Sequence, residues 1–116
     1  MYKVKQGRGY AYCIQYHIVW CVKYRRKVLF GDVEKSLKEI ILKIASDNNF
    51  EISEMETDKD HIHLLVECSP QHQIPNIIKA LKWVSARLLF LKCQEIKKYL
   101  WGGNLWNPSY FYSYCV

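Results

Sequence analysis

The sequence predicts a single α+β domain with the element order β-α-β-β-α-β, and three observations indicate it. Two stretches with apolar residues at helical spacing begin near Asp32 and Pro75. Two consecutive strand-like segments lie between them, and a segment rich in aromatic or β-branched residues lies at each end. This order is typical of the split βαβ arrangement, a ferredoxin-like or RRM-like antiparallel sheet with both helices on one face. The other face of such a sheet is left free for a ligand.

The first half of the chain supplies a strand and a helix. Residues 11–22, AYCIQYHIVWCV, are too apolar throughout for an edge strand, so we expect a central one. Asp32 is predicted as the N-cap of the first helix, with Glu34 in its first turn. Apolar residues then recur at helical spacing, and the sequence DNN ends the helix near residue 47.

The second half supplies the remaining elements. FEISEMET, residues 50–57, is a weak strand pattern, and HIHLLVEC, residues 61–68, is a stronger one. Pro75 is well placed in the first turn of a second helix. A final short aromatic strand follows Gly-Gly and Asn-Pro. The apolar stripe of the second helix is predicted to comprise Ile77, Leu81, Val84, Leu88 and Leu91.

Composition narrows the class of protein. Lysine plus arginine outnumber aspartate plus glutamate 17 to 11, and the net charge of +6 favours an acidic partner such as nucleic acid. The five cysteines are odd in number and form no CxxC pair, which favours reduced thiols in a cytoplasmic protein. No secretory signal and no apolar run of membrane-spanning length is visible. We therefore expect a soluble, cytoplasmic protein without a membrane partner.

The segment DKDHIHLLVE, residues 58–67, carries two of the four histidines. Because side chains alternate along a strand, His61 and His63 share one face with Leu65 and Glu67, while the apolar residues between them pack under the helices. Their Cα atoms are about 6.6 Å apart, close enough for both imidazoles to reach one cation. The alternative is a hydrogen-bonded or solvated pair, which the spacing alone favours.

Four blocks in order and spacing carry a family resemblance: YHIVWCVKYRRKVL, DHIHLLVE, IKALKWVSARLL and LWGGNLWNPSYF. The chain resembles the small single-tyrosine HUH transposases of the IS200 and IS605 insertion sequences. The resemblance implies a homodimer that recognises single-stranded DNA hairpins at the ends of the element and has no small-molecule substrate. It also implies that the strand is cut and rejoined through a 5′-phosphotyrosine. A divalent metal, Mg²⁺ or Mn²⁺, would be held by the residues at the HUH positions, His61 and His63, and polarise the scissile phosphate.

The resemblance has one departure. The family continues after the last strand into a helix that bears the nucleophilic tyrosine and a glutamine, whereas this sequence reads YSYCV and stops. Residues 1–116 are therefore expected to form a single HUH transposase domain, truncated before the nucleophile helix. We expect this form to bind its hairpin and leave it uncut, with Tyr110, Tyr112 and Tyr114 as packing or dimer residues. The alternative is a non-catalytic remnant that binds hairpins or single strands.

Two basic segments are candidates for DNA contact. An aromatic residue interleaved with cations, within a matching family block, favours phosphate contact by Lys23, Tyr24, Arg25, Arg26 and Lys27. A second basic set lies on the predicted second helix, off its apolar stripe. DNA contact and a solvated helix face are equally good interpretations of Lys79, Lys82 and Arg87. For His17 we expect a packed core histidine, with a place beside the metal site as the alternative. We expect a solvated turn histidine at 72, and core or dimer packing of Trp101 and Trp106.

Overall fold

A four-stranded antiparallel sheet forms the centre of the molecule. The computed structural model describes residues 14–100 and 103–115, and Trp101 lies outside them. The strands stand in the order β2-β3-β1-β4, which places the two most apolar strands in the middle and confirms the α+β prediction. Their bounds are β1 Ile14–Cys21, β2 Glu51–Asp58, β3 His61–Cys68 and β4 Phe111–Cys115.

The first helix, α1, spans Gly31–Asp47 and ends at the predicted DNN. Its N-cap is Phe30, and no side chain caps it, so the prediction that Asp32 is the N-cap is wrong. Gly31 has φ of +59°, a backbone conformation that glycine adopts without a side-chain clash. The chain therefore enters the helix earlier, and Asp32 lies with Glu34 in the first turn, where acids suit the positive helix end.

The second helical stretch is continuous but not uniform. It comprises α2, Ile74–Lys79, a π-helical segment, Ala80–Val84, and α3, Ser85–Lys92. A π-helical segment inserts an extra residue and so rotates the helix that follows. For this reason the buried stripe passes from Leu81 to Ser85 and Leu89, and Leu91, predicted on the stripe, is 63% exposed.

The core lies between one face of the sheet and the helices. On β3, Ile62, Leu64 and Val66 are fully buried, whereas the alternate residues from His61 to Leu65 are only half-buried. Trp106 is buried as predicted and meets Trp20 edge to face, with ring centroids 5.6 Å apart. The helices thus cover one face of the sheet and leave the face that carries His61 accessible. Among the helices of residues 14–100 and 103–115, none is long and apolar enough to cross a membrane.

Candidate metal and DNA site

His61 and His63 lie on the face of the sheet that the helices do not cover, which we call the histidine face. Both side chains are half-buried, and the fully buried Ile62 between them anchors β3 in the core. Across β2, Asp58 pairs with His61 and Glu56 pairs with His63. Because directly paired residues project to the same side of a sheet, two carboxylates border the two imidazoles.

Asp60 fixes the orientation of His61. The Nδ1 atom of His61 lies 2.8 Å from Oδ1 of Asp60, and Nε of Arg25 donates to Oδ2 of the same carboxylate at 3.1 Å. The hydrogen bond from His61, together with the Arg25 guanidinium, lowers the pKa of Asp60 below its ordinary value. An ionised carboxylate can only accept, so Nδ1 of His61 is the donor, and in the neutral imidazole Nε2 then keeps its lone pair. This is the tautomer that a metal-binding histidine needs.

His17 also belongs to the histidine face, and the prediction that it is a packed core residue is wrong. Its Nδ1 atom lies 3.0 Å from Nε2 of His63, and the two ring centroids are 5.1 Å apart. His17 pairs with Leu65 across β1 and β3, which makes His63 its diagonal neighbour. Alternation in β1 predicts this placement, because Ile18 and Trp20 occupy the buried face. The contact with His17 uses Nε2 of His63, so Nδ1 is the nitrogen of His63 that could bind a metal.

The donor set suits a weak divalent site. Imidazole nitrogens and carboxylates are ligands for transition metals and Mn²⁺, and the contact of Nδ1 with Asp60 leaves Nε2 of His61 for coordination. Within the described part of the chain, no three histidine, cysteine, aspartate or glutamate side chains form a ready metal-binding group. A cation held by His61 and His63 would therefore take the rest of its ligands from water or phosphate.

Glu67 is the member of the predicted histidine-face set that does not face solvent. The residue is 2% exposed, and the hydroxyl of Ser53 donates a hydrogen bond to its carboxylate. Burial raises the pKa of Glu67 to about 7. The alternation correctly predicts its side of the strand but not that this end of the sheet is covered.

The basic loop over residues 23–27 adjoins the histidine end of the sheet. The backbone N–H of Val22 donates to the carbonyl of Asp60 at 2.8 Å, which ties the start of the loop to the turn before His61. Tyr24 and Arg25 both have positive φ, +58° and +53°, and both side chains are exposed. Arg26 and Lys27 are exposed as well. The Arg25–Asp60 ion pair therefore connects the loop that is predicted to bind phosphate with His61, the predicted metal ligand.

The three residues of the second predicted basic set, Lys79, Lys82 and Arg87, differ in their exposure to solvent. Lys79 and Arg87 are exposed, but Nζ of Lys82 donates to the carbonyls of Asn107, Pro108 and Ser109 at 2.7, 3.2 and 3.2 Å. Burial lowers the pKa of Lys82. Lys82 therefore stabilises the 107–109 segment and, unlike Lys79 and Arg87, does not project its ammonium group freely into solvent.

His72 is half-buried rather than solvated. The backbone N–H of Ser69 donates to its Nδ1 at 3.1 Å, and its Nε2 lies 3.1 Å from the carbonyl of Asn48. His72 therefore bridges the turn after β3 and the end of α1, far along the strand from His61.

Residues 10–115 match the model of the family described as transposase, IS200 like. The match includes the basic loop and both histidines of β3. The chain belongs to the IS200-like transposase family.

Known transposases resemble this transposase over most of its length. It is 52% identical over 108 residues to the ISDra2 transposase TnpA of Deinococcus radiodurans, a match that covers 93% of the chain and 77% of the relative. It is 30% identical over 97 residues to the transposase for insertion sequence element IS200 of Salmonella typhimurium. That match covers 84% of the chain and 64% of the relative, so the chain spans less than two thirds of the Salmonella protein.

Solved structures agree with the fold of this transposase. A crystal structure of a Deinococcus radiodurans transposase superposes with a TM-score of 0.87 at 45% identity, covering 97% of this chain and 87% of that one. The REP-associated tyrosine transposase bound to a REP hairpin superposes with a TM-score of 0.67 at 17% identity. There the coverage is 100% of this chain and 63% of that one, and the likeness shows the fold alone.

The C-terminal tyrosines of this transposase lie on the other side of the sheet. In β4, Tyr112 pairs with Ile18 and Tyr114 pairs with Tyr16, so both project to the helix-covered face. The Tyr16 ring meets both edge to face, at centroid distances of 6.1 and 5.6 Å. Tyr110 precedes the strand and stacks on Tyr112 at 6.2 Å. The whole thickness of the sheet separates these hydroxyls from His61 and His63.

Proposed function

We propose that this transposase binds a single-stranded DNA hairpin with its basic loop and places a strand on the histidine face, where His61 and His63 hold Mg²⁺ or Mn²⁺. The observation that carries the proposal is the continuous contact from Arg25 through Asp60 to His61. These contacts support the proposal because they bring an exposed guanidinium and an imidazole to the same carboxylate. The hairpin bound to the structural neighbour with the same fold supports the choice of partner.

The side chains divide the work as follows. Arg25, Arg26 and Lys27 neutralise phosphates, which draws the strand to the end of the sheet where His61 lies. Asp60 fixes the His61 ring through Nδ1 and leaves Nε2 for the metal, and His63 supplies the second nitrogen. His61 and His63 would hold the divalent cation, which would supply polarisation of the scissile phosphate and stabilisation of the charge that develops there.

The nucleophile is not one of the strand tyrosines. Reacting atoms must approach to about 3–3.5 Å, and an error of about 1 Å can lower the rate a hundredfold. Tyr112 and Tyr114 project from the opposite face of β4. We propose that the described residues bind and position the DNA, and that cleavage requires a tyrosine other than those of β4. The same observation favours the second candidate function, a hairpin binder that does not cut.

The edge strand β4 suits pairing with a second copy. It stands at the end of the sheet, and Phe111, Tyr112 and Tyr114 are 65%, 46% and 59% exposed. An edge strand with large apolar side chains is prone to pair with another strand. We propose a homodimer joined through this edge. Sedimentation should give a dimer for the wild-type chain and a monomer for Ser113→Pro, because proline removes a backbone donor from the strand.

Hairpin binding is tested by fluorescence anisotropy at several salt concentrations, with hairpins taken from the DNA that flanks the gene. The double variant Arg25→Ala, Arg26→Ala should bind all hairpins more weakly. Its slope of log affinity against log salt should fall by about 1.4, because each phosphate contact on a single strand contributes about 0.7.

The matched control is Lys38→Ala, Lys43→Ala, which removes the same charge from α1. These two lysines form i,i+4 ion pairs with Glu34 and Asp47 on the outer surface of that helix. If both double variants lose affinity and slope equally, the effect comes from net charge and the assignment of the loop is wrong.

A further inference from the structure

A groove on the helical side of the sheet is separate from the histidine face. It lies between the π-helical and α3 segments on one side and the 103–108 loop on the other, and its volume is about 460 Å³. Small-ligand sites occupy about 300–1,000 Å³, so the groove can accept a group of nucleobase size. Neither the metal site nor the basic loop uses it.

An exposed tryptophan forms one wall of this groove. Trp83 is 69% exposed, whereas Trp20 and Trp106 are 1% and 7% exposed. It lies in the π-helical segment, and such segments are frequent at functional sites. A large aromatic side chain kept in solvent beside a groove indicates a binding surface rather than core packing.

The charges around Trp83 identify the class of ligand. Lys79 stands four residues before it and Arg87 four residues after it, and both are exposed and line the groove. No acidic side chain is among the described residues that line the groove. An aromatic platform between two cations suits single-stranded nucleic acid, in which bases stack and phosphates bind.

The opposite wall of the groove is held in place. Lys82 anchors the carbonyls of residues 107–109, and the indole N–H of Trp106 donates to Ser85 Oγ at 3.0 Å. The backbone N–H of Asn107 donates to the carbonyl of Cys21 at 2.9 Å. The amide side chain of Asn104, which also lines the groove, can both donate to and accept from the edge of a base.

We propose that this groove binds an unpaired base of single-stranded DNA, stacked on Trp83, with the flanking phosphates on Lys79 and Arg87. The inference rests on the proposed DNA binding and adds a second contact on the other side of the sheet. A base fits better than an apolar segment of a second copy, because cations stand on both sides of the aromatic ring. The site is selective for unpaired segments, since a base within a duplex does not present its face to an indole.

The test measures binding of a fluorescently labelled oligothymidylate, with Trp83→Ala as the main variant. Loss of one base–aromatic stack should weaken binding by about tenfold. Trp83→Phe keeps an aromatic face and should lose less than about threefold. The matched control is Leu91→Ala, because Leu91 is 63% exposed on the same helical stretch and does not line the groove. Its affinity should equal that of the wild type.

A spectroscopic readout separates stacking from a general loss of affinity. Oligothymidylate should quench the intrinsic tryptophan fluorescence of the wild-type chain, and Trp83→Phe should bind with that quenching lost. The Arg25→Ala, Arg26→Ala variant should keep the quenching even where its hairpin affinity falls. This pattern distinguishes the groove from the loop, so each assignment can fail without the other.

Three results would overturn the proposal. One is equal oligothymidylate affinity for Trp83→Ala and Leu91→Ala. Another is a wild-type dimer that Trp83→Ala converts to a monomer in sedimentation, because the groove would then cover a second copy. The third is no binding of oligothymidylate by the wild-type chain, which would remove this site while hairpin binding at the loop is measured separately.

Discussion

Replacing Asp60 by asparagine tests whether the carboxylate orients a metal ligand. Asp60 accepts from Nδ1 of His61 at 2.8 Å and from Nε of Arg25 at 3.1 Å. Asparagine has nearly the same shape but no charge, and its amide can present N–H groups to the same nitrogen. In Asp60→Asn, the preference of His61 for the tautomer with a bare Nε2 should therefore be lost.

The size of the effect follows from the exposure of the pair. Removing an outer partner of a metal-binding histidine lowers metal affinity by about 10- to 100-fold. The side chains of His61 and Asp60 are 33% and 16% exposed, so solvent screens part of the interaction and the lower end applies. We expect the dissociation constant for Mn²⁺ to rise about tenfold, or about 1.4 kcal/mol.

The assay is titration of Mn²⁺ followed by the electron paramagnetic resonance signal of the free ion, without DNA. The matched control is Glu54→Gln, which removes the same charge from the histidine face beside Leu65 and leaves the hydrogen bond between Asp60 and His61 in place. Imidazole nitrogen shifts in the metal-free chain report the tautomer independently. Equal Mn²⁺ affinity for wild type and Asp60→Asn, or equal losses in both variants, would refute an orienting role for Asp60.

Three further predictions concern groups outside that pair. Lys82→Met should lower the free energy of unfolding by about 1–2 kcal/mol in denaturant titration, because it removes hydrogen bonds to the 107–109 segment; its salt slope of hairpin binding should stay unchanged. Glu67 has a folded pKa of about 7, above its ordinary 4.5, so wild-type stability should fall as pH rises between these values, by at most about 3 kcal/mol. Glu67→Gln should lack this dependence in urea titrations at pH 5 and 8. Any covalent protein–DNA band on a denaturing gel with Mn²⁺ should persist in Tyr112→Phe and Tyr114→Phe, and loss of such a band in either variant would assign the nucleophile to β4.

Local patterns predict most of the fold. The bounds of β3 and the end of α1 follow from alternation, from helical spacing and from DNN. The π-helical segment does not follow from them, because a single inserted residue is settled by packing against α1 and the 103–108 loop. The predicted stripe is therefore only partly right after Leu81: Val84 and Leu88 are half-buried against the core, whereas Leu91 is exposed.

The sequence predicts which strand and face carry the site, but it does not predict the side-chain contacts made by Lys82 and Asp60. Alternation places His61 and His63 on one face, and it also places His17 there once β1 is seen to bury Ile18. The hydrogen bonds of Lys82 could not be predicted from the sequence, because the carbonyls that accept them lie 25 to 27 residues away along the chain. Asp60 shows the same limit, since its contact with Arg25 joins two loops that meet only in the folded chain.

The register of β4 determines which side chains stand beside the histidines. In the observed register, Ser113 is paired with His17 and Phe111 with Val19. A slip of one residue exchanges the two faces of a strand, and here it would carry Tyr112 and Tyr114 across to the imidazoles. Edge-to-face contacts with Tyr16 and the anchoring of residues 107–109 by Lys82 oppose that slip. The pairing of a five-residue edge strand thus keeps phenolic hydroxyls away from the proposed metal.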